Sequence, residues 1–229
     1  PYAAKLKWDV GIGTKHVQDA SYPFLIQEKY RAGYFTHYAG EGTIRSAKIC
    51  YQGEEVDLCL CRTKAHFSQE GNTRILTLDP VEIEFSDLTL KLQSRLYFEE
   101  GTGTIRIERE ILEMSNPDAQ VEINEYMVAC YGTTEYPEDM NGIVLRCEGE
   151  DPKEIIYAYK CREESLADAD AVSAVIPAIE TKVSMEASKG GEGYVREGYA
   201  FSPMFTLGYK KKVADKEVFT TWLKLEKAN

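Results

Sequence analysis

The sequence lacks any apolar run near the ~20 residues that a membrane-spanning helix needs. It has only three histidines, His16, His37 and His66, and none of them shares a local metal-ligand spacing with a cysteine. The six cysteines include no Cys-x-x-Cys pair. A phosphate-binding Gly-Lys-Ser or Gly-Lys-Thr sequence and a Gly-x-Ser-x-Gly nucleophile elbow are also missing. The sequence therefore predicts no membrane insertion, no metal and no cofactor.

Positive charge is scarce relative to negative charge. Lys and Arg number 27 against 38 Asp and Glu, which gives a net charge of −11 at pH 7. Proteins that bind phosphate backbones cluster Lys and Arg on one surface, and the one basic run here covers only residues 210–212. Nucleic acid and anionic membrane surfaces are therefore not expected as partners.

The cysteines and the two ends of the chain bear on its location. Cys50, Cys59 and Cys130 stand inside apolar runs, which is typical of small buried hydrophobic residues. This pattern favours a reducing compartment, so we expect a cytoplasmic location, although six cysteines would also suit disulfides. The sequence starts at Pro1 without an initiator Met and ends at Asn229 just after a strand-like run, which indicates an excised domain or a processed chain.

Alternating apolar residues are the main positive signal, and they are clearest in residues 105–131. In the first half of this stretch one face is apolar and the other charged: Ile105, Ile107 and Ile111 against Arg106, Glu108 and Glu110. A period of two with one polar face is typical of antiparallel sheet. Residues 116–118, Asn-Pro-Asp, predict a turn, and the apolar residues on both faces from Tyr126 onward predict a central strand.

The same alternation recurs along the chain. Residues 43–51 and 56–63 predict a hairpin around a short loop that contains Gly53. Further strand-like runs follow at spacings of about 8–12 residues, which is typical of a sandwich or barrel. Residues 162–175 break this rhythm and predict a short helix or an irregular excursion. No strand–helix alternation, internal repeat or linker is present, so residues 1–229 are expected to form one all-β domain, a large two-sheet antiparallel β-sandwich with at most one short helix.

Two segments resemble a known family. The connection from Asn116 to Val121 and Ile123, and the closing run Phe-Thr-Thr-Trp-Leu-Lys-Leu at 219–225, resemble the supersandwich of galactose-mutarotase-like proteins. Such sandwiches occur as free sugar mutarotases, as N-terminal domains of cellobiose-phosphorylase-like enzymes and as non-catalytic parts of polysaccharide lyases. Mutarotases carry an Asn-His-x-Tyr-Phe-Asn-type segment with a catalytic His, and this sequence has none. The resemblance therefore implies the scaffold more than the activity.

An aromatic cluster near the N-terminus is the candidate sugar site. Sugars stack their C–H faces on aromatic rings and hydrogen-bond through their hydroxyl groups, which His and Tyr can satisfy. The predicted sugar-binding residues are Trp8, Tyr34, His37 and Tyr38. The alternative is that these aromatic residues pack the core, since Tyr and Phe are enriched in strands.

The acidic loop with Glu135, Glu138 and Asp139 could supply paired carboxylates or calcium ligands. Its spacing does not match a calcium loop, so a solvated surface loop is favoured. No catalytic residue can be named from the sequence.

Three functions follow as expectations. The leading one is a non-catalytic domain of a carbohydrate-active protein, which contacts sugar or docks to a catalytic neighbour. The second is a divergent sugar mutarotase or epimerase that uses a His/Glu pair. The third is a structural or adhesive module without a ligand. The expected partners are a carbohydrate ligand, a neighbouring catalytic domain or a second copy in a homodimer.

Overall fold

The structure is a computed structural model, and it describes residues 44–58, 61, 63–130, 142–149, 152–156, 165–177, 181–197 and 204–228. These residues form antiparallel strands, and no α-helix occurs among them. In chain order the strands are β1 Ile44–Tyr51, β2 Glu54–Asp57, β3 Ala65–Glu70, β4 Thr73–Leu78, β5 Val81–Glu84, β6 Thr89–Glu99, β7 Thr104–Met114, β8 Val121–Cys130, β9 Val144–Glu148, β10 Lys153–Ile156, β11 Ser165–Ala169, β12 Ala171–Ile176, β13 Thr181–Ala187, β14 Glu192–Glu197, β15 Met204–Val213 and β16 Val218–Lys227.

The strands make two sheets that pack face to face. One sheet has six described strands in the order β11-β14-β15-β8-β1-β2. The other has ten, in the order β10-β9-β12-β13-β16-β7-β6-β4-β3, with β5 pairing β6 outside this path. The predicted all-β antiparallel sandwich is confirmed.

The core lies between the two inner faces and is built by the alternation seen in the sequence. Ile49 of β1 and Ile123 of β8 come from the six-stranded sheet, while Ile107 of β7 and Phe219 of β16 come from the ten-stranded sheet, and all four are buried. Each fully buried Ile or Phe stabilises the fold by about 1.5–3 kcal/mol. The shared core is therefore what holds the two sheets together.

The described part of the stretch 105–131 contains β8 and all but the first residue of β7, as predicted, but these strands do not pair with each other. β7 lies in the ten-stranded sheet between β16 and β6, and β8 lies in the six-stranded sheet between β15 and β1. The predicted turn is present, because the Asp118 N–H donates to Asn116 Oδ1 at 3.1 Å. This turn therefore carries the chain from one sheet to the other, and the prediction that β8 is a central strand is confirmed.

The predicted hairpin is also present as β1 and β2. Cys50 pairs with Glu55 and Tyr51 with Glu54, which leaves Gln52 and Gly53 as a two-residue turn. Both turn residues have positive φ, 47° and 86°, as a type I′ turn requires.

The expected helix at 162–175 is wrong, because the described part of this segment forms β11 and most of β12. Ala169, Val172 and Ala174 are buried, and the last two lie two residues apart, as on one face of a strand. The pairing of β11 with β14 shifts between Leu166 and Ala169, and Asp168 has φ of 62°. This irregularity changes the phase of the alternation, so the apolar spacing resembles that of a helix.

Candidate functional site

The outer face of the ten-stranded sheet carries many charges that pair with one another. Arg95 Nη1 lies 2.7 Å from Glu110 Oε2, and Lys224 Nζ lies 2.6 Å from Glu186 Oε1. Tyr97 donates its hydroxyl to Glu108 Oε2 at 2.7 Å. The polar groups of these side chains are already paired with side chains on neighbouring strands. This face is therefore less suited to a polar ligand than the outer face of the six-stranded sheet.

The outer face of the six-stranded sheet has a different arrangement, which we name the Tyr194 face. It consists of Tyr194, Gly208, Tyr126, Asn124, Lys48, Lys210, Glu122 and Glu192. The register places these residues in rows across the strands. One row runs from Tyr194 through Gly208 to Tyr126, and the next from Glu192 through Lys210 and Asn124 to Lys48. Adjacent strands lie about 4.8 Å apart, so each row spans roughly 10–15 Å.

Tyr194 can lie across the sheet because Gly208 has no side chain. The two residues are directly opposite in the pairing of β14 with β15. A Cβ on Gly208 would stand 2.4 Å from Tyr194 Cζ, closer than real Cβ atoms come. The ring therefore crosses over β15, and its hydroxyl donates to Asn124 Oδ1 of β8 at 2.9 Å. A tyrosine from one strand is thus fixed against an amide two strands away.

Asn124 lies between two lysines. Lys210 is its partner on β15 and Lys48 its partner on β1. Lys48 Nζ also lies 2.5 Å from Glu55 Oε1, and this hydrogen bond raises the pKa of Lys48. Lys210 Nζ lies 5.6 Å from the centre of the Tyr194 ring, within the range of a cation–π contact. The two lysines therefore flank the amide, and the raised pKa of Lys48 favours its charged form.

The two tyrosines of this face differ in exposure, because Tyr126 is buried and Tyr194 is partly exposed. Burial raises the pKa of the Tyr194 hydroxyl well above its usual range. Tyr126 is only 7% exposed even though its position in β8 faces away from the core. The hydroxyl of Tyr194 therefore stays protonated at any physiological pH and acts as a hydrogen-bond donor and acceptor.

The chemistry available on this face suits a polyol. Lys210 and the Asn124 amide supply donors, Glu122 and Glu192 supply acceptors, and the Tyr194 ring supplies an apolar surface. Sugar recognition uses this combination of convergent polar groups and an aromatic ring. Among the described residues, no group of three or more His, Cys, Asp or Glu side chains could hold a metal ion.

The site residues predicted from the sequence fall outside the part of the chain that the structure describes. Trp8, Tyr34, His37 and Tyr38 lie outside the described residues, so their role in sugar binding stays a prediction. The carboxylates of the acidic loop, Glu135, Glu138 and Asp139, lie outside them as well.

The cysteines that the structure describes differ in their surroundings. Cys147 is buried and free, as expected of a small hydrophobic residue. Cys50 is half-buried and lies opposite Glu122 on the outer side of the six-stranded sheet, not in the core. Burial raises the pKa of the Cys147 thiol.

The described part of the chain contains no helix with the length and apolarity of a membrane span.

Sequence reasoning missed the Tyr194 face, although one signal was present. Gly208 interrupts the interior of a strand-like run, and an isolated glycine in a strand often marks a close approach of another group. The approaching group cannot be identified from the sequence, because Tyr194 follows the Gly-rich residues 190–193, whose composition is typical of a loop.

Comparison with known proteins supports the fold. No protein-family model matches the chain, and no curated protein matches it in sequence. Among solved structures, a candidate mutarotase from Salmonella typhimurium, YeaD, matches with a TM-score of 0.52 at 8% identity, over 75% of this chain and 67% of that one. A candidate aldose 1-epimerase from Escherichia coli K12 matches with a TM-score of 0.50 at 11% identity, over 79% of each chain.

A larger enzyme contains the same fold. The α-N-acetylgalactosaminidase NagBb from Bifidobacterium bifidum matches with a TM-score of 0.59 at 7% identity, over 80% of this chain and 31% of that one. The chain thus spans about two thirds to four fifths of the length of the first solved structures that it matches, and about a third of NagBb. These comparisons confirm the galactose-mutarotase-like resemblance at the level of the fold.

Proposed function

We propose that this chain, a sandwich of the galactose-mutarotase-like fold, is a non-catalytic module that binds a saccharide on its Tyr194 face. The ligand would be a pyranose, alone or at the end of a longer glycan. Its C–H surface would lie against the Tyr194 ring, and its hydroxyl groups would bond to Asn124, Lys210 and Glu122. The module would present this sugar to a neighbouring catalytic domain.

The observation that carries this proposal is the position of Tyr194 over Gly208. The glycine opposite the ring leaves room for it, and the amide at its hydroxyl fixes its position, so the ring is held ready across the sheet. Once Asn124 Oδ1 has accepted the hydrogen bond from the Tyr194 hydroxyl, the NH₂ group of Asn124 still has two donors, and the phenol oxygen can still accept. The pair therefore offers donors and an acceptor side by side, in the way that vicinal hydroxyl groups require.

The fold supports the same class of ligand. Proteins described as mutarotases or aldose epimerases share this sandwich, and in NagBb the sandwich makes up a minor part of the chain. A module that binds sugar next to a catalytic domain would fit the second arrangement. The proposed absence of catalysis follows from the sequence, which lacks the His-containing segment of the mutarotases.

Calorimetric titration tests the proposal. The purified chain would be titrated with glucose, galactose, N-acetylgalactosamine and a panel of oligosaccharides, and saturable binding of at least one is expected. Gly208→Ala should weaken that binding at least tenfold, because the added Cβ displaces the Tyr194 ring. Binding that survives Gly208→Ala unchanged would show that the sugar lies elsewhere.

Two controls separate the alternatives. Gly149→Ala adds the same methyl group where the nearest atom, Asp170 Oδ2, is 3.4 Å away, so it should leave binding unchanged. Polarimetry on freshly dissolved glucose and galactose should give the rate of buffer alone. Acceleration on either sugar would instead favour a mutarotase, and a panel with no binder would favour a structural module.

A further inference from the structure

The edge strand β3 has the features of a self-complementary interface. It is the last of the described strands at its end of the ten-stranded sheet, next to β4. All six of its residues are exposed, and Phe67 in its centre is 71% exposed. Edge strands usually carry a proline, a bulge or an inward-pointing charge that prevents further pairing. β3 pairs with β4 without a register shift and contains no proline.

The hydrogen-bond pattern shows which backbone groups β3 leaves available. The Asp79 N–H donates to the Lys64 carbonyl at 2.8 Å, so this pair is hydrogen-bonded. In an antiparallel pair such positions alternate, so His66 and Ser68 also direct their backbone groups toward β4. The N–H and C=O groups of Ala65, Phe67 and Gln69 consequently point away from the sheet.

We propose that β3 pairs with β3 of a second copy of this chain, antiparallel and centred on Phe67. A twofold axis perpendicular to the sheet would then pass between the two Phe67 residues. Ala65 of each copy would pair with Gln69 of the other, and about six backbone hydrogen bonds would form. The two ten-stranded sheets would become continuous across the dimer.

The side chains fit the same register. Lys64 and Glu70 are each three residues from Phe67, so the twofold axis places Lys64 opposite Glu70 of the second copy. Opposite charges directly across an antiparallel pair are favourable, and like charges are unfavourable. The two Phe67 rings would lie side by side and remove each other's apolar surface from water. A shift of the register by one residue would lose both matches.

Light scattering coupled to size-exclusion chromatography, over a range of concentrations, tests this dimer. The unmodified chain should form a dimer as concentration rises, and Phe67→Asp should remain a monomer. Lys64→Glu and Glu70→Lys, each alone, place like charges opposite one another and should weaken the dimer. The exchange of both charges in one chain should restore the dimer. This recovery would not be expected if either residue served only to stabilise the fold.

Matched measurements make the result decisive. Ile156→Asp removes another apolar side chain that is strongly exposed among the described residues, 63% exposed on β10, and should leave the dimer intact. Hydrogen exchange at the Phe67 amide should become slower as concentration rises, while the already bonded Ser68 amide should change little. A chain that is monomeric at every concentration, or a dimer that tolerates Phe67→Asp, would overturn the proposal. Sugar binding on the Tyr194 face is independent of either outcome.

Discussion

Arg109 and Glu125 place opposite charges inside the core. Their side chains are 2% and 1% exposed, and they come from β7 and β8, one in each sheet. Arg109 Nε lies 2.7 Å from Glu125 Oε2, and Arg109 Nη2 lies 2.9 Å from Glu125 Oε1. Burial raises the pKa of the Glu125 carboxyl, and the guanidinium opposes that rise. This bidentate pair is a polar link between the two sheets.

Arg109→Met should lower the free energy of unfolding by about 3–5 kcal/mol, because it leaves Glu125 buried without its partner. The double variant Arg109→Met/Glu125→Leu should recover most of this loss, since two apolar side chains of similar volume suit the core. Urea unfolding of both single variants and of the double variant, as a double-mutant cycle, measures the coupling.

Arg95→Met is the matched control for this prediction. Arg95 pairs with Glu110 on the outer face of the same sheet, where both side chains are partly exposed. Loss of an exposed pair costs less than about 1 kcal/mol. Equal losses at Arg95 and Arg109 would contradict the account of the buried pair.

The alternation of apolar residues in the sequence already indicates part of the buried Arg109–Glu125 pair. Arg109 lies two residues from both Ile107 and Ile111, and Glu125 lies two residues from both Ile123 and Met127, so each charge belongs to an apolar face. That pattern indicates two buried charges. It cannot show that they meet, because this requires β7 and β8 to lie in different sheets that face each other.

Among the elements, β11 and β12 show where a periodic pattern fails. A strand is recognised in a sequence when apolar residues keep a constant spacing of two. The register shift between Leu166 and Ala169 interrupts that spacing within a few residues. Asp168 adopts a positive φ, which Asp tolerates better than most residues because its side chain bonds to the local backbone. Neither feature has a sequence signature as distinct as the Asn-Gly pair of a hairpin turn. The sequence therefore could not distinguish a helix from a strand in this segment.

The turn between β15 and β16 depends on Glu217. Its carboxylate accepts from the Ala214 N–H at 3.0 Å and pairs with Lys211 Nζ at 2.8 Å. Burial alone would raise the pKa of Glu217, but these hydrogen bonds outweigh it and hold the pKa below its usual range. The ionised carboxylate therefore stabilises the folded state above the pKa of an unfolded glutamate, about 4.3.

Glu217→Gln should accordingly lower the free energy of unfolding at pH 7 by up to about 1 kcal/mol, a value limited by solvent screening. The difference from the unmodified chain should decrease below about pH 4.3 and vanish as the pH passes the lower folded-state pKa. Urea unfolding at a series of pH values measures it. Glu226→Gln, on an exposed position of β16, is the control, and a pH-independent effect of Glu217→Gln would contradict the prediction.

At the scale of the whole molecule, the sequence predicts the class of fold better than the arrangement of its strands. Alternation shows that strands exist and which face of each is apolar, and this suffices for an all-β sandwich. The Asn116 turn is compatible both with a hairpin and with a crossing between sheets. The choice depends on contacts between distant segments, which a local pattern does not contain. The same limit hid the site, because Tyr194 and Asn124 are far apart in the chain.

The two sheets should unfold together, because they share one core. Ile123→Ala in the six-stranded sheet should cost about 2–5 kcal/mol. Native-state hydrogen exchange should show this loss equally in β8 and in β7 of the other sheet. Val218→Ala, at an exposed position, should change neither strand. Loss of protection in β8 alone would mean that the sheets open independently.

The crossing of Tyr194 over Gly208 also has a consequence for biosynthesis. The ring and the glycine beneath it come from the consecutive strands β14 and β15, whereas the amide at its hydroxyl comes from β8, much earlier in the chain. Contacts of this kind form late, because distant segments must first be brought together. A growing polypeptide that has not yet emerged beyond residue 208 cannot assemble them. We therefore expect the capacity to hold a sugar to arise only after β15 has been synthesised and paired with β8.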